Sequence, residues 1–170
     1  MNPCRAYSHV QDWGSVTRVA YRREDFPSMH SCDSSPAQGA SHSGTVLLVD
    51  DEQPLLDIYA TILGPYFEIV KAVNTKEADA LIRQNNIKVA VADHLMPGET
   101  GLGFLARIRQ TFPHVQRVLV TGNMTEEMKR QAAESNLLFA YLVKPIAITE
   151  MINVVQAAAQ IHDSIVAASK

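Results

Sequence analysis

Four short stretches, far apart in the chain, each close an apolar run with a residue able to do chemistry. Asp50-Asp51-Glu52 follows "TVLLV", Asp93 follows "KVAVA", Thr121-Gly122 follows "RVLV", and Lys144-Pro145 follows "FAYLV". Singly, each has a plain structural explanation. An Asp after a strand is more often a turn former or helix cap than a catalyst. Asp50-Asp51 suits the entry to a helix through its macrodipole, Thr121 suits a cap, and Lys-Pro is an ordinary loop pair. Together they say more, because three carboxylates packed close repel one another and raise each other's pKa. Lys144 sets one positive charge against them. A hard divalent cation held through carboxylate oxygens, Mg2+, completes the balance. A carboxylate in such a place can attack phosphorus and form an acyl phosphate. Phosphoryl transfer then asks chiefly for alignment and for neutralisation of the equatorial oxygens. Asp93, alone on its strand, is the candidate nucleophile. The adjacent Asp50 and Asp51 suit the metal, and Lys144 and Thr121 suit the phosphoryl oxygens.

Those groups meet only if the runs that carry them end at one edge. From Thr45 onward, apolar runs rich in β-branched residues alternate with amphipathic stretches. In "QPLLDIYATIL", Leu55, Leu56, Ile58, Tyr59, Ile62 and Leu63 fall at i, i+1, i+3, i+4, i+7 and i+8, the spacing of one helical face. Pro54 sits in its first turn, where its missing N–H costs nothing. "FEIVKAV" reads as a strand, "TKEADALIRQN" as a helix capped by Thr75. "KVAVAD", "LGFLARIRQT", "RVLVT", "TEEMKRQAAES" and "FAYLV" continue the alternation. A last helix begins near Ile148 and carries Met151, Ile152, Val155, Ala159 and His162 along one face. Five βα units in series require a parallel sheet with right-handed crossovers. Continuous apolar strands fit a sheet covered on both faces. The fold class is therefore α/β and doubly wound, one (βα)5 domain over residues 45–168. In such sheets ligands bind at the carboxyl ends of the strands.

Residues 1–44 differ in kind. "SMHSCDSSPAQGASHSG" has Ser-rich linker composition, and the whole extension is expected to be mostly disordered tail. It holds four basic and four acidic residues, so the net charge of −3 arises entirely in residues 45–170. That balance argues against direct nucleic-acid binding, which calls for a basic stripe. Cys4 and Cys32 both lie in the extension, leaving the core free of cysteine and the cytoplasm as the expected compartment. No apolar run approaches the ~18 residues of a membrane span. The six histidines show no ligand spacing, and His94 is expected to face solvent.

Asp50-Asp51, Asp93-x-x-Met96-Pro97-x-x-x-Gly101, Thr121-Gly122 and Lys144-Pro145, in this order on five βα units, resemble the receiver domain of two-component response regulators. The resemblance covers residues 45 to about 160. It implies a CheY-like sheet in the order 2-1-3-4-5. Asp93 would accept a phosphoryl group from a sensor histidine kinase or a histidine phosphotransfer protein. Asp51 would ligate Mg2+ directly, Asp50 mostly through water, with Asp93 and the Leu95 carbonyl completing the protein ligands. Lys144 would contact the phosphoryl oxygens, and its bond to Pro145 would be cis. Thr121 and Tyr141 would be the switch pair. The readable face would be residues 125–135, 139–143 and 148–169, open to an unknown downstream protein partner or to a second copy on phosphorylation. Such a chain is a signalling module rather than an enzyme.

Two other readings stand beside this one. A Mg2+-dependent phosphohydrolase with an aspartyl-phosphate intermediate would place a second Asp two residues after the nucleophile, where this chain has Leu95. A pseudo-receiver adaptor, never phosphorylated, would lack an acidic or Lys position that this chain keeps. A stand-alone receiver and a fragment of a larger regulator both remain compatible with the sequence.

Overall fold

The computed structural model describes residues 12–13, 16–18, 42–134 and 137–169, the first two stretches by their backbone. Two short strands, β1 (Asp12–Trp13) and β2 (Val16–Arg18), precede the alternating part. There follow β3 (Thr45–Val49), α1 (Gln53–Leu63), β4 (Glu68–Ala72), α2 (Thr75–Gln84), β5 (Ile87–Asp93), α3 (Gly101–Thr111), β6 (Gln116–Thr121), α4 (Glu126–Glu134), β7 (Ala140–Val143) and α5 (Ile148–Ala168). Strands β3 to β7 pair in parallel in the order β4-β3-β5-β6-β7. Numbered as five βα units, this is the expected order 2-1-3-4-5. Strand β2 adds antiparallel to β7, and β1 to β2. Both short strands fall in the extension expected to be mostly disordered tail; the rest of residues 1–41 lies outside the described residues.

The central strands are apolar throughout because each side of the sheet has its own core. Val46, Leu48, Val89, Val91, Val118 and Val120 point to one side, under Leu56 and Leu63 of α1 and Met151, Val154 and Val155 of α5. Leu47, Val49, Ala90, Ala92, Leu119 and Tyr141 point to the other, under Ile82 of α2, Phe104 and Ile108 of α3, and Met128 of α4. Alternate residues along a strand face opposite sides, so both sets must be apolar. The predicted face of α5 holds: Met151, Val155, Ala159 and His162 are buried and Ile152 partly so. On α1, Ile58 stands exposed although the spacing placed it on the apolar face. Among the described residues, no helix is long and apolar enough to cross a membrane.

The start of α2 corrects one expectation. Asn74, not Thr75, is the cap: its backbone is extended, and its side-chain oxygen accepts from the Glu77 N–H at 2.8 Å. Glu77 reaches back to accept from the Val73 N–H at 3.0 Å, so the first turn is held from both directions. Asn74→Ala should therefore lower stability by about 1 kcal/mol, while Asn74→Asp stays close to wild type. Urea denaturation of the two variants checks this; equal midpoints would show that the cap contributes nothing.

Candidate functional site

The carboxyl ends of β3, β5, β6 and β7 lie side by side because the strands are parallel and adjacent. Asp50 directly follows β3, and Asp93 is the last residue of β5. Both are buried, at 2% and 7% exposure. Lys144, directly after β7, places its Nζ 2.6 Å from Asp93 Oδ1 and 3.7 Å from Asp50 Oδ2. Two buried anions thus share one ammonium. The remaining oxygens are tied to backbone. Asp50 Oδ1 accepts from the Glu52 N–H at 2.9 Å, and Asp93 Oδ2 from the Leu95 N–H at 2.7 Å. The Lys144-Pro145 bond is cis, as expected.

Burial pushes the Asp50 carboxyl above the usual Asp range; the Glu52 N–H and Lys144 oppose this, while the Asp93 and Asp51 charges add to it. For Lys144, burial disfavours the charge. The hydrogen bond to Asp93 and the attraction of Asp93 and Asp50 outweigh it, and the ammonium is held above the ordinary lysine value.

The remaining predicted residues fall into place unevenly. Asp51 is exposed at the rim, close enough for its charge to act on Asp50. The Leu95 side chain is 73% exposed, so only its backbone belongs to the site. Thr121 is buried, but its hydroxyl is turned to its own loop, donating to Asn123 O at 2.9 Å and accepting from the Asn123 N–H at 3.2 Å. Tyr141 is buried in the core beneath α4. His94 is not turned to solvent as expected: it is half-buried, and its Nδ1 is buried without a hydrogen-bond partner. The backbone explains this, because the His94 N–H donates to Val120 O and its carbonyl accepts from Gly101, pinning the residue between β6 and α3.

The loop behind Asp93 is built for close approach. Gly98 has φ +88°, in the left-handed region. A Cβ on Gly101 would lie 2.0 Å from the Asp93 carbonyl oxygen, so only glycine lets α3 start there. Thr100 caps that helix, accepting from the Gly103 N–H at 3.2 Å.

Two neighbours of the site escape a reading by motif. Tyr59 of α1 lines a small cleft with Asp50, Leu56, Asp93 and Val120. Burial raises its phenol pKa; the Lys144 charge opposes this, and the Asp50 and Asp93 charges reinforce it. Arg107 of α3 forks onto Glu99 at 2.9 and 2.8 Å and reaches Asp79 of α2 at 2.9 Å. That fork ties the Asp93 loop to two helices.

The donor set fits a hard divalent cation. Asp50 Oδ2 is buried and accepts no hydrogen bond, Asp51 offers an exposed carboxylate beside it, and all these donors are oxygens. Among the described residues, no three acidic, His or Cys side chains are gathered on one point. Lys144 stands between Asp50 and Asp93 instead.

A family model for the response regulator receiver domain matches residues 46–156. The hydrogenase transcriptional regulatory protein HoxA of Cupriavidus necator is 29% identical over 116 residues, which cover 68% of this chain and 24% of that regulator. The chain thus spans about a quarter of the length of the hydrogenase regulators it matches. Among solved structures, the receiver domain of the Francisella response regulator 1452 is 26% identical with a TM-score of 0.62, covering 69% of this chain and 97% of that one. A CheY-like receiver domain protein from Methanospirillum hungatei shares the fold at 22% identity, with a TM-score of 0.67 and coverage of 71% and 97%.

The raised Asp50 pKa has a consequence with a definite sign. The folded protein binds this proton more tightly than the unfolded chain. Asp50 therefore subtracts stability as pH rises from the ordinary value of 3.8 through its raised one, and the loss is complete above that. Asp50→Asn should be more stable than wild type at pH 7, the gain fading below about pH 4. Urea unfolding at the two pH values reads it directly. A destabilised variant at pH 7 would mean that the charged Asp50 is a net stabiliser.

Proposed function

The chain belongs to the response regulator receiver domain family, and from that premise we propose that Asp93 accepts a phosphoryl group from a sensor histidine kinase or a histidine phosphotransfer protein. The observation that carries this reading is the buried Asp93 carboxylate at the end of β5, 2.6 Å from the Lys144 ammonium and beside Asp50. An Asp93 oxygen attacks the phosphorus. The bond from phosphorus to the donor imidazole nitrogen breaks, its electron pair stays on that nitrogen, and an acyl phosphate forms on Asp93. Each Asp93 oxygen uses one lone pair in the resting structure, toward Lys144 or the Leu95 N–H, and keeps another for the attack.

Lys144 turns from the Asp93 carboxylate to the arriving phosphoryl oxygens as a charged ammonium, since Asp93 and Asp50 outweigh the burial that would disfavour its charge. Mg2+, held by Asp50, Asp51, Asp93 and the Leu95 carbonyl, supplies further charge neutralisation when bound. Thr121 exchanges its Asn123 contacts for a phosphoryl oxygen. A hydrogen bond to a charged acceptor contributes about 1.5–3 kcal/mol, against about 1 for each of the two neutral contacts given up, so the exchange is close to balanced and the charge on the phosphoryl oxygen decides it. Moving Thr121 draws the loop before α4 inward and alters the packing around Tyr141, which lies beneath that helix. The face formed by α4, β7 and α5 carries the signal to a downstream protein or a second copy. The compartment is the cytoplasm, where phosphorelay proteins operate.

Intact-mass spectrometry after incubation with Mg2+ and a small acyl-phosphate donor tests the assignment. Wild type should gain one phosphoryl group, and neither Asp93→Asn nor a chelator-treated sample should. A folded wild-type protein that gains no adduct and hydrolyses the donor no faster than buffer would overturn it.

A further inference from the structure

The two outer edges of the parallel sheet are handled differently. Strand β4 forms one edge and carries charge along it: Glu68 accepts from Thr45 Oγ1 at 3.1 Å, and Lys71 pairs with Asp57 at 2.7 Å. Charged residues on an edge discourage pairing with another chain. Strand β7, the other edge of the parallel strands, reads Ala-Tyr-Leu-Val, with no charge, no proline and no bulge. Such an edge is a template for strand addition unless something covers it. Here the chain covers it itself, as Val16, Thr17 and Arg18 pair antiparallel with Leu142, Tyr141 and Ala140.

We propose that the Val16–Arg18 strand is a displaceable cap on the β7 edge, one that keeps a second copy of the chain from adding there. Direction and reach both suit it. Arg18 lies beside Ala140, at the amino-terminal end of β7, the same end of the sheet at which β3 begins. Between Arg18 and Thr45 the chain crosses four strand spacings, roughly 19 Å, and the 26 intervening residues reach about 85 Å at full extension. Tethering raises the local concentration of the cap, while a ladder of three residue pairs is short enough to open. Strand β7 is also the middle of the face assigned to output above; to that extent the regulatory meaning rests on that reading. The edge competition itself does not require phosphorylation and is tested without it.

The experiment uses the full chain. The double variant Val16→Pro/Thr17→Pro removes two consecutive backbone donors, so one of them is lost from the ladder whichever face they point to. The swap Val16→Thr/Thr17→Val keeps both N–H groups and both β-branched side chains. Hydrogen exchange followed by mass spectrometry, at a concentration where sedimentation shows monomer, should show residues 140–143 exchanging at least tenfold faster in the proline variant alone, with strands β3 and β5 unchanged. Sedimentation over a concentration series should show that variant self-associating at least tenfold more tightly than wild type or the swap. Unchanged exchange at 140–143 would overturn the cap. Faster exchange without stronger self-association would overturn the competition. The phosphorylation assay on Asp93 is separate, so either reading can fail alone.

Discussion

Asp50 and Asp93 are buried side by side with one ammonium between them, and the rest of the structure is arranged so that this can exist. Two carboxylates out of water cost several kcal/mol each unless paired and hydrogen-bonded. Lys144 at 2.6 and 3.7 Å and the Glu52 and Leu95 N–H groups meet that requirement in part. No local segment can do this, because residues 50, 93 and 144 are far apart in the chain. A parallel sheet can, since it brings the ends of β3, β5 and β7 to one edge. The two apolar cores then hold the strands in register from both sides.

The compensation is incomplete. Asp50 keeps a buried oxygen without a donor, and burial leaves its carboxyl reluctant to ionise. A site that maximised stability would replace one carboxylate with an apolar residue. Retaining the excess negative charge makes sense where a cation is to be recruited; under the proposed function that cation and Lys144, not the carboxylates, offset the charge of an incoming phosphoryl group. The surrounding backbone is correspondingly stiff: Gly101 packs against the Asp93 carbonyl, and Arg107 locks Glu99 in the same loop.

The strands, helices and four marked strand ends were legible because each rests on a one-dimensional signal: an apolar run, a helical period, a charged residue at the end of a run. What escaped depends on geometry between neighbours. "NT" at residues 74–75 offers two good capping residues, and only the extended backbone at Asn74 decides between them. Tyr59 has the right period for a core residue, and nothing in that period says that the sheet end beneath it is polar. Arg107 lies eight residues from Glu99 and 28 from Asp79, separations at which charge patterning along a helix is silent. The position of His94 is set by the hydrogen bonds of its backbone to β6 and α3, which its residue type does not report. In "DWGSVTR", Gly14-Ser15 ahead of the β-branched pair Val16-Thr17 is a turn signal, obscured by the Ser-rich composition that follows.

Site and edge are linked by a single strand. The Lys144 N–H donates to the Thr121 carbonyl at 2.8 Å, and Thr121 pairs with Val143 in the ladder between β6 and β7. Tyr141 is three residues before Lys144, about 10 Å along the strand, and its backbone faces Thr17 of the covering strand. Any shift of Lys144 or Thr121 toward a new charge must therefore be absorbed by β7 or transmitted along it. A four-residue strand offers little room to absorb it. Its inner neighbour β6 is buried along its whole length, whereas β2 contributes only three residue pairs. Strain arriving at β7 falls on the weaker of its two ladders, the outer one.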